Sequence, residues 1–470
     1  LRRAPCIIRG SASRPGHDPG TGAAPVATEP AGATARPPPT PMRHAESVDV
    51  AIVGAGPAGA ITALLLARAG HHILLLDRRT FPRPKPCGDC LSAGATPLLR
   101  RVGALADVEA EHPARLAGWR VVAPGGSSFH ASFAPAAHRD PDLATALALP
   151  RDRLDHALLR AATREGARLH TGFRVTDLLR DPHGRIVGVV GRDSDGAPFA
   201  FATRLVVGAD GLRSTIARRL GLIRRAPRLR KLSLSTHLHG LAEPIDHGEL
   251  HLADGACLGI APVLAADAAD APLHNLTLVV DARRFARSVA AGARAFLRDA
   301  LRRFPGLAPR LDATIHTLAA EHPPILASGP FDWPTRDIVA HGAALVGDAA
   351  GYFDPFTGQG IFQALAGALA LAESADDALR AGHPIVPPLR PYARRHARIV
   401  RGARAVQRAI DFVTSRPSLA DRAIRRLADA PATATTLVAV TGDILPARSL
   451  LSPSAILALL FGLSPPEVPR

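Results

Sequence analysis

Val48-Asp49-Val50-Ala51-Ile52-Val53-Gly54-Ala55-Gly56-Pro57-Ala58-Gly59 is the stretch on which the fold turns. Its first six residues, rich in Val and Ile, read as a buried strand. Ala58 to Ala69 reads as a helix, with Gly70 as its stop. Ile73 to Leu76 is a second buried strand. A strand, helix and strand within about 30 residues require a parallel sheet with a right-handed crossover. Between the first strand and the helix stands Gly-x-Gly-x-x-Gly, in the context a dinucleotide-binding fingerprint needs. Gly54 permits the tight turn, Gly56 lets a pyrophosphate approach the backbone, and Gly59 lets helix and strand pack closely. The helix that opens at Pro57 offers free N–H groups from Ala58 onward and a favourable dipole to phosphate. Asp77 ends the second strand, placed to accept hydrogen bonds from ribose hydroxyls, and Arg78 beside it can meet phosphate. This motif alone leaves both NAD and FAD open.

Outward from this unit, Leu205-Val206-Val207 and Ala343-Ala344-Leu345-Val346 are further short buried strands, each running into a Gly-rich turn with Asp and then a helix. Between them the period changes. Leu232 to Leu238 and Leu276 to Val280 alternate as half-buried strands of a second sheet. Beyond about residue 376 the pattern is helical, with proline breaks. Residues 1–46 are rich in Pro, Gly, Ala and Arg without hydrophobic periodicity and are expected to be a disordered tail. The predicted fold class is α/β. A discontinuous Rossmann-like domain (47–225 and 331–375) carries an inserted, mainly antiparallel β substrate domain (226–330), and a helical C-terminal region (376–470) follows.

Composition narrows the partners. The 470 residues are 47% apolar, enough for a sizeable core, and four cysteines fit a reducing compartment without a disulfide framework. Net charge is +16, yet the basic residues are scattered arginines and aromatics are only 4%, so no nucleic-acid partner is expected. No 18-residue apolar run exists, so no spanning helix is expected. No run of seven apolar residues follows the basic start, which argues against a secretory signal. Ile456 to Phe461 is too short to span a bilayer but long enough to rest on one. The expected location is cytoplasmic, with peripheral membrane contact left open. Cys6, Cys87, Cys90 and Cys257 find no spaced histidine pair, so no metal site is expected.

Four further motifs carry a resemblance. Leu345-Val346-Gly347-Asp348-Ala349-Ala350-Gly351 ends a strand, and Asp354-Pro355-Phe356-Thr357-Gly358-Gln359-Gly360-Ile361 leads into a long helix. Val207-Gly208-Ala209-Asp210-Gly211 and Arg151-Asp152-Arg153-Leu154-Asp155 lie upstream, as does Lys85-Pro86-Cys87-Gly88-Asp89-Cys90-Leu91-Ser92. Together they resemble the flavoproteins of the para-hydroxybenzoate hydroxylase and geranylgeranyl reductase superfamily, over about residues 48 to 375. The resemblance implies bound FAD, with Asp348 and Gly347 on its ribityl and ribose region. Gly358, Gln359, Gly360 and Ile361 would lie beside the isoalloxazine ring. It implies phosphate contacts for Arg151, a pyrophosphate-side contact for Asp210, and a backbone contact to adenine for Val175. The loop with Cys87 and Gly88 would lie near the flavin, as in the reductase branch. That branch also carries an aromatic Tyr-x-Trp-x-Phe-Pro segment, whereas Gly255 to Pro262, the corresponding stretch, has no aromatic residue.

His237 and His239 alternate onto one face of a strand that borders the expected substrate cavity. With Cys87 they are the candidate catalytic side chains, as acid, base or thiol. The function expected is an FAD-dependent oxidoreductase. Its flavin, reduced by transiently bound NAD(P)H or another donor, either reduces an alkene of a hydrophobic, isoprenoid-like small molecule or activates O₂ for hydroxylation. The alternatives are an NAD-dependent dehydrogenase and a non-catalytic flavin-binding scaffold.

Overall fold

A computed structural model describes residues 43–44 and 47–450, apart from 240, 242–245, 265–272, 305, 308, 312–323 and 383–385. The expected Ile456–Phe461 surface segment and Cys6 lie outside the described residues.

Val48–Val53 forms a strand buried along nearly its whole length, and Ile73–Leu76 lies parallel beside it. The helix Pro57–Arg68 that joins them opens with proline at its first position, where a missing N–H costs no hydrogen bond. These strands sit in a nine-stranded sheet. Its main path runs Arg174–Arg180, Ile186–Arg192, Pro198–Gly208, Val48–Val53, Ile73–Leu76, Arg168–His170. The first two are an antiparallel extension, and the last four are mutually parallel. Ala343–Leu345 pairs in parallel with the C-terminal end of Pro198–Gly208. All three Gly-rich turns therefore emerge at the same edge of one sheet, where ligands of open α/β sheets bind. Arg43–His44, counted in the tail expected to be disordered, instead pair in parallel with Phe199–Ala200.

The second sheet has seven strands in the order Leu326–Ser328, Lys231–His239, Leu273–Asp281, Ala256–Pro262, Gly248–Ala253, Gly118–Val122, Ser128–Ser132. Only Gly248–Ala253 and Gly118–Val122 pair in parallel. Strands 118–132 thus join this sheet from within the span assigned to the nucleotide-binding domain. Their alternation is that of any half-buried hairpin, and local sequence does not say which sheet it joins. Period-two alternation splits the sheet's side chains. Leu258, Leu276, Leu278 and Val280 pack under the helices Ala282–Ala291 and Ala293–Leu301. Cys257, Gly259, Asn275 and Thr277 point the other way and line a cavity against the first sheet.

The C-terminal region is helical, with Gly360–Arg380, Val386–Thr414, Pro417–Ala428 and Pro431–Thr441. It covers the junction of the two sheets, where Ile424, Leu427 and Val438 meet Leu116, Phe129 and Phe133. No helix among the described residues is long and apolar enough to cross a membrane.

Candidate functional site

The cavity lies between the Gly-rich edge of the first sheet and the inner face of the second. Its floor shows each fingerprint glycine at a different task. Gly54 has φ +105°, and a Cβ there would stand 2.4 Å from the carbonyl oxygen of Ala209. A Cβ on Gly59 would stand 1.8 Å from the carbonyl oxygen of Gly54, so helix and turn touch only because it is glycine. Above Gly56 the nearest atom is Arg83 Nη2 at 3.8 Å, which leaves its backbone open to a large ligand.

Two helices begin at this cavity, Pro57–Arg68 and Gly360–Arg380. Neither has a side-chain cap or an acidic residue in its first turn. Helix ends without partners are completed by ligands, and anionic ones suit them. Gly358, with φ +69° and nothing within 4 Å of a Cβ position, opens the turn before the second helix. The Asp348 carboxylate also lines the cavity, and no described residue hydrogen-bonds it. A carboxylate, open glycine backbone and two positive helix ends suit a ligand carrying ribityl hydroxyls, a pyrophosphate and an electron-accepting ring. FAD fits this donor set.

Cations gather on one side. Arg151 is buried and bonds Asp155 from Nε at 2.8 Å and from Nη2 at 3.0 Å. Arg83 bridges Asp77 and Asp155, each at 3.4 Å. Lys85 lines the cavity beside them. Burial, together with the Arg151 guanidinium, holds its ammonium below the usual lysine range, against the pull of Asp348 and Asp155. Arg83, Lys85 and Arg151 thus gather three basic side chains at the mouth of the fingerprint, where a phosphate can meet them. Burial also pushes Cys87 and Cys90 up and Cys257 to about 12, so all three cavity thiols stay protonated at neutral pH.

The remaining expected residues divide. Gly347, Gly360, Ile361, Pro57, Ala58 and Gly88 line the cavity. Asp77 accepts hydrogen bonds from the N–H groups of Ala55 and Arg79 at 2.9 Å, and so braces the turn at the edge of the site. Arg78 is exposed, whereas Arg83 and Lys85 occupy the ground expected of it. Asp210 accepts from Ser214 Oγ and from the N–H of Thr215 and Ile216, capping the helix Thr215–Arg219. Its neighbours Ala209 and Gly211 line the cavity in its place. Val175 is buried in its strand outside the cavity lining. The Gln359 side chain is buried among C-terminal residues, not in the cavity.

His237 Nε2 donates to Asp89 Oδ2 at 2.6 Å. Asn275 Nδ2 donates to the same oxygen at 2.7 Å and to the carbonyl of Cys87 at 3.0 Å. The pair therefore pins the cysteine loop to the second sheet, with Asn275 in the cavity wall. His239 is exposed at the strand end. Sequence reading missed Trp119, whose indole packs where a Cβ on Gly248 would lie, at 2.4 Å, and lines the cavity. The aromatic residue absent from Ala256–Pro262 thus has a counterpart two strands away, a pairing without local signal. Tyr352 and Phe356 also line the cavity.

Comparison with known proteins agrees with this geometry. A family profile described as an FAD binding domain matches residues 47–252. The chain is 29% identical over 350 residues to "Conditioned medium factor receptor 1" of Dictyostelium discoideum, covering 68% of this chain but only 61% of that protein. It is 29% identical to "Menaquinone reductase" of Mycolicibacterium smegmatis, covering 67% of this chain and 72% of the relative. With "Digeranylgeranylglycerophospholipid reductase" of Methanothrix thermoacetophila it shares 27% identity over 74% of this chain and 82% of the relative. The myxobacterial chondrochloren halogenase CndH shares the fold, with TM-score 0.71 and 21% identity over 90% of this chain and 98% of that one. The chain thus carries an FAD binding domain over residues 47–252 and is similar to FAD-dependent oxidoreductases of the para-hydroxybenzoate hydroxylase and geranylgeranyl reductase superfamily.

Proposed function

We propose that this protein uses FAD to reduce a hydrophobic, isoprenoid-bearing small molecule, with NAD(P)H or another soluble donor binding only transiently. The observation that carries this reading is the composition of the cavity. One wall is glycine backbone, helix ends and Asp348. The other is the apolar face of Leu250, Cys257, Gly259, Ile260, Ala261 and Trp119. Relatives named for reduction of menaquinone and of a digeranylgeranyl lipid support the same chemistry.

Bound there, FAD supplies a two-electron carrier between donor and substrate. Asp348 would hold the ribityl chain, and Arg83, Lys85 and Arg151 the pyrophosphate. The N–H groups of Gly360 and Ile361 would stabilise negative charge on the ring edge. The substrate sheet excludes water and orients a flat or extended apolar chain. Tyr352 holds a proton at Oη, since burial and the nearby Asp348 keep its phenol well above the usual tyrosine range. A lipid-like substrate would bring the protein to a membrane surface without a spanning helix.

The test is anaerobic. Protein reconstituted with FAD is reduced by NADPH, NADH or dithionite and then mixed with menaquinone or a geranylgeranyl lipid. Reoxidation of the flavin without O₂, with two hydrogens added to the product by mass, is the expected result. Reoxidation only on admission of air, with oxygen in the product, would overturn the reductase reading in favour of hydroxylation.

A further inference from the structure

Three segments remote in sequence meet behind the turn 358–360. Ser92 closes the cysteine motif, Gln359 precedes the helix Gly360–Arg380, and Asp443 follows the helix Pro431–Thr441. Ser92 Oγ donates to Asp443 Oδ2 at 2.7 Å, and Gln359 Nε2 donates to Asp443 Oδ1 at 2.7 Å. Asp443 holds φ +58°, a left-handed backbone uncommon outside glycine. The N–H of Gly94 donates to the carbonyl of Gly442 at 2.9 Å, and a Cβ on Gly94 would stand 2.5 Å from the carbonyl oxygen of Asp443. The loop is therefore clamped on both sides. The Gln359 amide is fully engaged as well, since its Oε1 accepts from Thr357 Oγ1 at 2.9 Å and Gln407 Nε2 at 3.4 Å.

We propose that Asp443 is a positioning residue, which sets the turn Gly358–Gly360 against the cofactor and transmits its own charge to that turn through Gln359. The inference rests on the FAD reading above. As a carboxylate, Asp443 accepts from both donors. Protonated at Oδ2, it donates to Ser92 Oγ and still accepts from Gln359 at Oδ1, so its charge changes while the contacts persist. Burial drives this carboxyl up to about 7, against the hydrogen bonds from Ser92 and Gln359. The groups facing it are uncharged: Ser92, Gln359, and the Phe133 ring beside Gly442. No charged side chain among the described residues shifts it. An anionic Asp443 behind a helix N-terminus opposes negative charge held in front of it, and neutral Asp443 does not. The cofactor's reduced, more negative form is therefore favoured as pH falls through neutrality.

The experiment follows the absorption spectrum and midpoint potential of FAD bound to the full chain between about pH 6 and pH 8, across the ionisation of a carboxyl raised to near 7. The wild type is expected to show a step near neutral pH. Asp443→Asn, whose amide keeps both contacts, should show the acid-form spectrum throughout. Asp443→Gly, relaxed at the left-handed backbone, should also lack the step and serves if the amide variant does not fold. Gln359→Leu should shrink the step. A step of wild-type size in the Asp443 variants, or none in the wild type, would overturn the proposal. Protein that takes up no FAD at all would sink both this inference and the function beneath it.

Discussion

The Asp348 carboxylate lines the cavity and accepts no hydrogen bond among the described residues, whereas Asp77, Asp155 and Asp210 outside its lining are each tied to neighbouring donors. Hydrogen bonds to a charged group contribute about 1.5–3 kcal/mol. Asp348→Ala is thus expected to weaken FAD binding by about 10- to 100-fold, read as flavin lost during gel filtration. Full retention would remove Asp348 from the site. Asp443 carries a second residue-scale prediction. Its carboxyl pKa is raised on folding, so its stabilising contribution is complete below the unfolded value near 4 and fades as pH rises through about 7. Asp443→Asn should therefore gain stability over wild type above neutral pH, by up to about 4 kcal/mol from a shift of about three units. That advantage should vanish near pH 4, as denaturant titrations at the two pH values would show. At this scale the sequence reads backbone tasks well. Gly54, Gly56 and Gly59 each do what their spacing requires. Side-chain direction is less legible: Asp210 and Gln359 lie in motifs that face the cavity, yet their side chains bond elsewhere, because a local pattern does not reveal which donors tertiary folding brings near.

Strands and helices were legible where one face is buried within a single element. Val48–Val53, Ile73–Leu76, Lys231–His239 and Leu273–Asp281 all follow from their periodicities. The hairpin Gly118–Ser132 was not assignable, since its place depends on parallel pairing with Gly248–Ala253, more than a hundred residues away. Its contribution to the cavity, Trp119, rests on Gly248. Gly248→Val should displace the indole and cost about 1–3 kcal/mol through overpacking, seen as a lower denaturation midpoint. Trp119→Ala should instead deepen the cavity, raising KM for a compact quinone more than for a bulkier lipid. Equal KM changes for both would show that the indole does not bound the substrate.

Over the whole molecule, long-range ties cross the cavity rather than surround it. Asn275 and Thr277 donate to the Cys87 carbonyl, and Lys231 Nζ bonds Asp354 at 2.7 Å and Asp411 at 2.6 Å. The two sheets and the C-terminal helices should therefore unfold together, and a ligand held between them should stabilise all three. FAD at about 100 times its dissociation constant should add about 2.7 kcal/mol, raising Tm in one transition. Two separate transitions, only one moved by FAD, would contradict this coupling. The helical C-terminal region was readable as helical, but its contact with the Gly358–Gly360 turn was not.

Lys85 and Lys231 are the only lysines in the chain, and they flank the same cavity, Lys85 in its wall and Lys231 behind Asp354. Within these 470 residues, reagents that acylate lysine amines have no other side-chain target. A mass-spectrometric count of acyl groups thus becomes an intrinsic footprint of occupancy. FAD should shield Lys85 from acylation, and Lys231 should react only as its two carboxylate partners let go.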